Sequence, residues 1–229
     1  MSKPHRELLE PLNFAPKAVF FDLDGTLIDS LPDIEAAIVQ AALSMGLLAP
    51  SSTKVQAWVG NGAGALVERV LADNICIPQQ RDPRYAALLE GYMQAYEALA
   101  HAYSSLYPGV EPLLRYWQQQ GVKLAVITNK AARFTPSILR HFGILHYFDE
   151  VYCGDSFVHK KPHPMPLLRA CEAFSITPEQ ALMVGDSRND VGAAQNANVP
   201  CLAVRGGYNH GEDIALSKPT WIVDSLELV

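Results

Sequence analysis

The chain has 229 residues, 49% of them hydrophobic and 18% charged, and its 18 basic and 24 acidic side chains give a formal net charge of −6. This composition can build a sizeable core and excludes an intrinsically disordered chain, and the acidic balance argues against nucleic acid as a partner. No segment approaches the roughly 18 apolar residues of a membrane span, and residues 1–10 are charged where a signal peptide is apolar, so we expect a cytoplasmic protein without a membrane partner.

The spacing of the four cysteines fits neither a metal site nor a disulfide framework. Cys76, Cys153, Cys171 and Cys201 are 77, 18 and 30 positions apart. We therefore expect buried, reduced thiols, as in a cytoplasmic protein.

The first predicted elements are a tail, a strand and a helix. Residues 1–16 contain three prolines and show no helical or strand period. The apolar run K-A-V-F-F at 17–21 is typical of a central parallel strand. Apolar residues at helical spacing then predict a helix over 31–45, with Ser30 as its N-cap and Pro32 in its first turn.

The next buried strand, at 123–128, comes roughly 100 residues later, far more than a crossover helix needs. Between the two strands lie helical patterns at 62–72 and 83–103 and no clear strand. The sequence therefore predicts an inserted all-helical domain over residues 31–107, placed over the end of the first strand.

After Pro108 and Gly109, helices and strands alternate. Strands are predicted at 123–128, 150–153, 181–185, 201–204 and 220–223, and helices at 111–120, 131–142, 164–174 and 189–197. This alternation is typical of an α/β fold with a doubly wound, mostly parallel, Rossmann-like sheet. Residues 17–30 and 108–229 would form this core domain, which binds ligands beyond the carboxyl ends of its strands.

Carboxylates follow two of the predicted strands. Asp22 and Asp24 come after the first, and Asp186 and Asp190 follow another with the spacing of one helical turn. Carboxylates that converge in a crevice repel one another unless a cation balances them, and a hard divalent ion, most simply Mg²⁺, fits oxygen ligands.

The sequence also places neutral hydrogen-bond donors and a positive charge near the same crevice. These are Thr128, the backbone N–H of Asn129, and Lys161. A carboxylate nucleophile, a divalent ion, a hydroxyl and an ammonium group together indicate phosphoryl transfer.

Four ordered motifs resemble those of the haloacid dehalogenase-like phosphohydrolases. They are F-F-D-L-D-G-T-L at 20–27, I-T-N-K at 127–130, K-K-P at 160–162 and V-G-D-S-R-N-D at 184–190, and the resemblance covers residues 17–223. It implies that Asp22 is the nucleophile, forming an aspartyl-phosphate, and that Asp24 is the general acid and then the base. It implies that the inserted helices form a cap that closes over the substrate.

The resemblance also implies the ligand contacts. Mg²⁺ would be held by Asp22, the backbone carbonyl of Asp24 and Asp186, with Asp190 supporting it through a water or as a further ligand. The phosphoryl group would be bound by Asp22, Leu23, Thr128, Asn129 and Lys161, with Thr128 and Lys161 also counted as catalytic.

Two further stretches, at 57–67 and 205–212, resemble the phosphoglycolate phosphatases of that family. Asn61 and Gly62 precede a predicted helix, whose free N–H groups suit a small carboxylate. The alternative is that the glycines of this loop only turn the chain between two helices. For Arg69 we expect a solvated surface position, with contact to a substrate carboxylate as the alternative.

The predicted function is a Mg²⁺-dependent phosphatase that hydrolyses 2-phosphoglycolate, a small-molecule phosphate ester, to glycolate and phosphate. The alternatives are a phosphatase for another small metabolite such as a sugar phosphate, a phosphomutase, or a phosphate-binding regulatory protein. The oligomeric state, monomer or homodimer, stays open at this point.

Overall fold

A computed structural model describes residues 15–227, so 14 residues of the predicted tail lie outside the described part. Six strands form one sheet, and each pairs in parallel with its neighbours in the order β5-β4-β1-β6-β7-β8. The strands of this sheet are β1 (Ala18–Phe21), β4 (Lys123–Ile127), β5 (Glu150–Tyr152), β6 (Ala181–Gly185), β7 (Cys201–Val204) and β8 (Trp221–Val223). The predicted α/β parallel sheet is confirmed.

Helices cover both faces of this sheet. They are α5 (Val110–Gln119), α6 (Thr135–His141), α7 (Met165–Phe174) and α8 (Arg188–Ala197). Strand β1 shows why two layers form: Val19 and Phe21 pack into one apolar cluster with α5 and α6, whereas Ala18 and Phe20 pack into a second with α7 and α8. Successive side chains of a strand point to opposite faces, so a strand buried on both sides is apolar throughout.

Four more helices lie between two very short strands. They are α1 (Leu31–Ser44), α2 (Ser52–Trp58), α3 (Ala63–Ala72) and α4 (Tyr85–Leu99). The short strands are β2 (Ile28–Asp29) and β3 (Ser105–Leu106), which pair antiparallel. We call residues 31–104 the helical insertion. Its helices share an apolar cluster of their own, which also takes in Phe134 and Tyr208 from outside the insertion.

Local structure departs from the sequence expectations in five places. Strands β2 and β3 and helix α2 were not predicted, because two residues carry no strand period and seven residues barely show a helical one. Helix α6 begins at Thr135 instead of Ala131, and Pro136 lies in its first turn. Ser30 occupies the N-cap position of α1, but its hydroxyl donates to Asp24 and caps no helix N–H.

All four cysteines are free thiols, as expected, although Cys76 is exposed and only the other three are buried. Within residues 15–227, no helix combines the length and the apolar character needed to cross a lipid bilayer.

Candidate active site

The carboxyl ends of two neighbouring strands bring three carboxylates together. Asp22 follows β1 and Asp186 follows β6, and these strands pair with Phe21 opposite Val184. Asp190 joins them from the first turn of α8. Carboxylate oxygens of the three residues lie within 4.8 Å of one another, and all three residues are buried.

A tight turn after Asp22 makes this approach possible. Gly25 has a φ of +92°, which L side chains rarely adopt, and a Cβ there would collide with the carboxylate of Asp186. The fully buried side chain of Leu23 anchors the turn in the core, and its carbonyl accepts the N–H groups of Thr26, Leu27 and Ile28.

Hydrogen bonds fix the two downstream carboxylates. Thr26 Oγ1 donates to Asp186 Oδ1 at 2.7 Å, and the Tyr208 N–H donates to Oδ2 at 2.6 Å. Asp190 accepts the Ser187 N–H and hydroxyl at 3.0 and 2.6 Å, in a capping box at the start of α8. Both carboxylates are therefore held in fixed orientations.

Lys161 connects the nucleophile candidate to this cluster. Its Nζ lies 2.8 Å from Asp22 Oδ1 and 2.6 Å from Asp190 Oδ1, and the side chain is almost fully buried. Burial alone would lower the pKa of Lys161, but the carboxylates of Asp190 and Asp22 raise it above its ordinary value. The ammonium group is therefore charged at neutral pH.

A second ion pair holds Asp24. Lys130 Nζ lies 3.0 and 3.2 Å from its two carboxylate oxygens, and Ser30 Oγ donates to Oδ1 at 2.5 Å. Lys130 is itself buried, and its ammonium group lies 4.5 Å from the ring centre of Tyr96. Sequence reasoning missed Lys130, although its place directly after Thr128 and Asn129 at the end of β4 was the available signal.

The charges of the site do not balance within the described chain. When all four are ionised, the carboxylates of Asp22, Asp24, Asp186 and Asp190 face two ammonium groups, which leaves two negative charges in excess. Burial, with Asp190 adding to it, raises the pKa of Asp22 to about 7. Burial and the neighbouring carboxylates raise the pKa of Asp186 well above its ordinary value. A buried all-oxygen donor set with two unbalanced charges fits a hard divalent cation.

Thr128 and Asn129, which directly follow β4, make different contacts. Thr128 Oγ1 accepts the Lys130 N–H at 3.1 Å and borders the cavity described below. Asn129 Nδ2 donates to the carbonyls of Gly60 and Lys161, both at 3.0 Å, and its Oδ1 is buried without a described partner. The Asn129 side chain therefore links the helical insertion to the sheet.

A cavity of about 50 Å³ lies between the carboxylates and the helical insertion. Its lining residues are Asp22, Asp24, Ile34, Val59, Gly60, Gly62, Ala63, Leu66, Tyr92, Thr128, Asn129, Lys130, Ala131 and Phe134. Polar side chains come from the strand ends, whereas the insertion supplies mostly apolar ones. A space this small is suited to a compact ligand.

The loop before α3 is held by contacts that the sequence did not reveal. Gly62 lines the cavity, but the Asn61 side chain accepts from Arg69 Nη2 at 2.8 Å and donates to Asn189 Oδ1 at 3.2 Å. The expectation of a solvated Arg69 is wrong. The residue is only 6% exposed, and its guanidinium also donates to the carbonyls of Trp58 and Ile75, because this loop needs a buried donor.

Comparison with known proteins assigns this arrangement to a family. The model of the haloacid dehalogenase-like hydrolases matches residues 19–204, which contain every carboxylate and lysine described above. The chain belongs to the haloacid dehalogenase-like hydrolases. Three of its four motifs stand at the ends of β1, β4 and β6, whereas the K-K-P motif at 160–162 lies in the loop between β5 and α7.

Curated relatives are similar over most of the hydrolase. A phosphoglycolate phosphatase of Vibrio cholerae is 42% identical over 211 residues, which are 92% of this chain and 93% of that protein. Phosphoglycolate phosphatase 1 of Pseudomonas aeruginosa is 44% identical over 92% of this chain and 77% of its own length. The crystal structure of a predicted phosphoglycolate phosphatase from Haemophilus somnus superposes with a TM-score of 0.87, at 36% identity, over 94% of this chain and 96% of that one. The hydrolase is accordingly a phosphoric monoester hydrolase.

Proposed function

We propose that this hydrolase is a Mg²⁺-dependent phosphatase that converts 2-phosphoglycolate to glycolate and phosphate through an aspartyl-phosphate. The observation that carries the proposal is the contact of Asp22, which lines a small cavity, with Lys161, beside two further carboxylates. The relatives named above support the choice of substrate.

The chemistry follows from the side chains in contact. An oxygen of the Asp22 carboxylate attacks phosphorus, the bond from phosphorus to the ester oxygen breaks, and Asp24 gives its proton to the leaving glycolate oxygen. Water then attacks the aspartyl-phosphate, Asp24 takes a proton from it, and phosphate leaves with Asp22 restored. Lys161 neutralises charge between the carboxylate and the phosphoryl group, and Thr128 donates to a phosphoryl oxygen with the N–H groups of Leu23 and Asn129.

The metal proposal rests on the unbalanced charge of the site. Mg²⁺ would be held by Asp22, Asp186, Asp190 and the backbone carbonyl of Asp24. When bound, the ion supplies positive charge beside the nucleophile and the phosphoryl oxygens. The bonds from Thr26 and Tyr208 to Asp186 keep that carboxylate in place for this role.

We further propose that residues 31–107 act as a cap on a core domain of residues 17–30 and 108–229. The mostly apolar cavity wall formed by Ile34, Val59 and Leu66 supports this role, because it keeps bulk water away from the reacting atoms.

The test is steady-state phosphate release with Mg²⁺ across 2-phosphoglycolate, sugar phosphates, nucleotides and pyrophosphate. We expect kcat/KM for 2-phosphoglycolate to exceed the others by about 100-fold or more, and we expect chelation with EDTA to abolish turnover. A sugar phosphate with the highest kcat/KM, or isomerised product without free phosphate, would overturn the proposed substrate or reaction. Turnover that persists in EDTA would overturn the metal dependence alone.

A further inference from the structure

The cavity that accepts the substrate contains one positive charge that the proposed chemistry does not use. Among its lining residues, all within the described chain, Lys130 is the only cation. Its ammonium group lies on the Asp24 side of the cavity, beside the apolar wall formed by Tyr92, Phe134 and Ala131.

The ammonium group of Lys130 can meet a further acceptor from the cavity. It has three N–H bonds: the two oxygens of Asp24 lie on one side of it, and the neutral phenol of Tyr96, which also interacts with it and whose ring centre is 4.5 Å away, lies on another. The side chain is only 7% exposed, so a negatively charged ligand group that meets it does so away from water. Charged hydrogen bonds in such a setting are stronger than those at an exposed lysine.

The other cations near the cavity are already engaged. Lys161 lies between Asp22 and Asp190, on the phosphoryl side. The guanidinium of Arg69 donates to two backbone carbonyls and to the Asn61 side chain. Lys160 is exposed and donates to the Asn61 carbonyl at 2.7 Å.

We propose that Lys130 is the residue that binds the substrate carboxylate and so selects carboxylate-bearing phosphate esters, an inference that rests on the proposed function. A compact substrate places its phosphoryl group at Asp22 and its carboxylate at Lys130, on opposite sides of Asp24. The proton of Asp24 is then delivered to the ester oxygen that lies between the two anionic groups. Lys130 thus contacts both the substrate and the general acid.

The experiment compares two substrates that differ in one group. 2-Phosphoglycolate and ethyl phosphate share the ester and the two-carbon chain, but only the first has a carboxylate. The readout is the ratio of their kcat/KM values, because any effect of Lys130 on Asp24 changes both substrates together and cancels in the ratio. We expect a ratio of about 100 or more for the wild type and below about 5 for Lys130→Met and Lys130→Gln.

Lys160→Met is the matched control, since it removes a neighbouring lysine from the cavity rim. We expect this variant to keep the wild-type ratio, and Lys130→Arg to keep most of it. A wild-type ratio that survives in folded Lys130→Met or Lys130→Gln overturns the inference and leaves the proposed function standing, and so does a ratio lost only in Lys160→Met.

Two outcomes with the wild-type enzyme complete the test, whether or not the variants fold. A wild-type ratio near 1 overturns the proposed substrate, and the inference is overturned with it. The carboxamide of 2-phosphoglycolate has nearly the same size without the charge. A wild type that prefers 2-phosphoglycolate to ethyl phosphate, yet turns the amide over equally well, contradicts an ammonium contact and leaves the proposed function in place.

Discussion

The parallel sheet and the helical insertion meet at one cavity but contribute different kinds of atoms. The sheet contributes charged side chains placed directly after strands, such as Asp22, Asp186 and Lys130. The insertion contributes mostly apolar side chains to the cavity, and several of its polar contacts with the rest of the chain use main-chain carbonyls, beside side-chain bonds such as that from Asn61 to Asn189. The Gly60 carbonyl accepts from Asn129 and Asn189, and the Asn61 carbonyl accepts from Lys160. The chemistry of the proposed site is therefore specified by residue type near the strand ends, whereas the contact with the insertion depends partly on main-chain position.

The largest expected effect is loss of the proposed nucleophile at the end of β1. Asp22→Asn removes the charged oxygen that attacks phosphorus in the proposed mechanism while keeping the size of the side chain. We expect kcat to fall by at least about 10⁴-fold. Phosphate release under single-turnover and steady-state conditions measures the loss.

Asp155→Asn is the matched control, since Asp155 also follows a strand of the sheet, β5. Its carboxylate accepts the Ala132 N–H at 2.9 Å and lies outside the cavity lining. A change of less than about 3-fold is expected there. Equal losses in the two variants would show that strand-end position alone, and not contact with Lys161, explains the effect.

The difference between the sheet and the insertion explains which features could be predicted from the sequence. A buried strand followed by Asp22 or Asp186 fixes where the carboxylate lies, because the sheet brings its carboxyl ends to one edge. The sheet and the convergence of Asp22, Asp186 and Asp190 were therefore accessible from pattern alone. Arg69 and Lys130 were not, because burial of a cation depends on partners far away in sequence, which no local period encodes.

A smaller effect is expected from the buried arginine of the insertion. Arg69→Met removes the donors to the Trp58 and Ile75 carbonyls and to Asn61, leaving buried acceptors unsatisfied. We expect the free energy of unfolding to drop by about 3 kcal/mol, measured by urea denaturation.

Arg81→Met is the control for lost charge. Arg81 pairs with Glu68 beside the same helix, and its side chain is 64% exposed. A loss below about 0.5 kcal/mol is expected. If both variants lose the same free energy, Arg69 does not hold the loop in the way its contacts indicate.

The buried carboxylate cluster at the end of the sheet predicts a pH dependence of the free energy of unfolding. The pKa of Asp22 is raised to about 7 in the folded protein, chiefly by burial, against an ordinary value of 3.8. Between these values the metal-free folded state binds a proton that the unfolded state does not. Stability contributed by Asp22 is therefore lowest above pH 7 and rises as the pH falls toward 4.

Asp22→Asn tests this contribution, because it removes the Asp22 titration together with the repulsion that Asp22 exerts on Asp186. The stabilisation of the variant relative to wild type, without metal, is expected to be at least about 1 kcal/mol larger at pH 8 than at pH 5, by denaturant titration in EDTA. If the difference in free energy of unfolding between the variant and wild type does not change with pH, the pKa of Asp22 is not raised by its burial in the carboxylate cluster.

The smallest effect concerns the contact between the two regions. Asn189, on α8, donates to the Gly60 carbonyl at 3.2 Å and accepts from Asn61 Nδ2 at the same distance. Asn189→Ala leaves the bond from Asn129 to Gly60 in place, so the closed arrangement is weakened without being lost. We expect kcat/KM for 2-phosphoglycolate to fall by about 5- to 10-fold, mainly through KM, because a less populated closed state reduces apparent affinity in proportion.

Gln195→Ala is the control, because it tests whether the effect on KM depends on contact with the insertion or on loss of any amide side chain from α8. Gln195 is also an amide on α8 that donates to backbone carbonyls, those of Ser217 and Lys218, but it faces away from the insertion. Its removal is expected to leave KM within about 2-fold of wild type. If Asn189→Ala lowered kcat and left KM unchanged, its bond to Gly60 would serve the chemical step. The contact of the Gly60 carbonyl with α8 would then contribute to catalysis itself and not only to substrate binding.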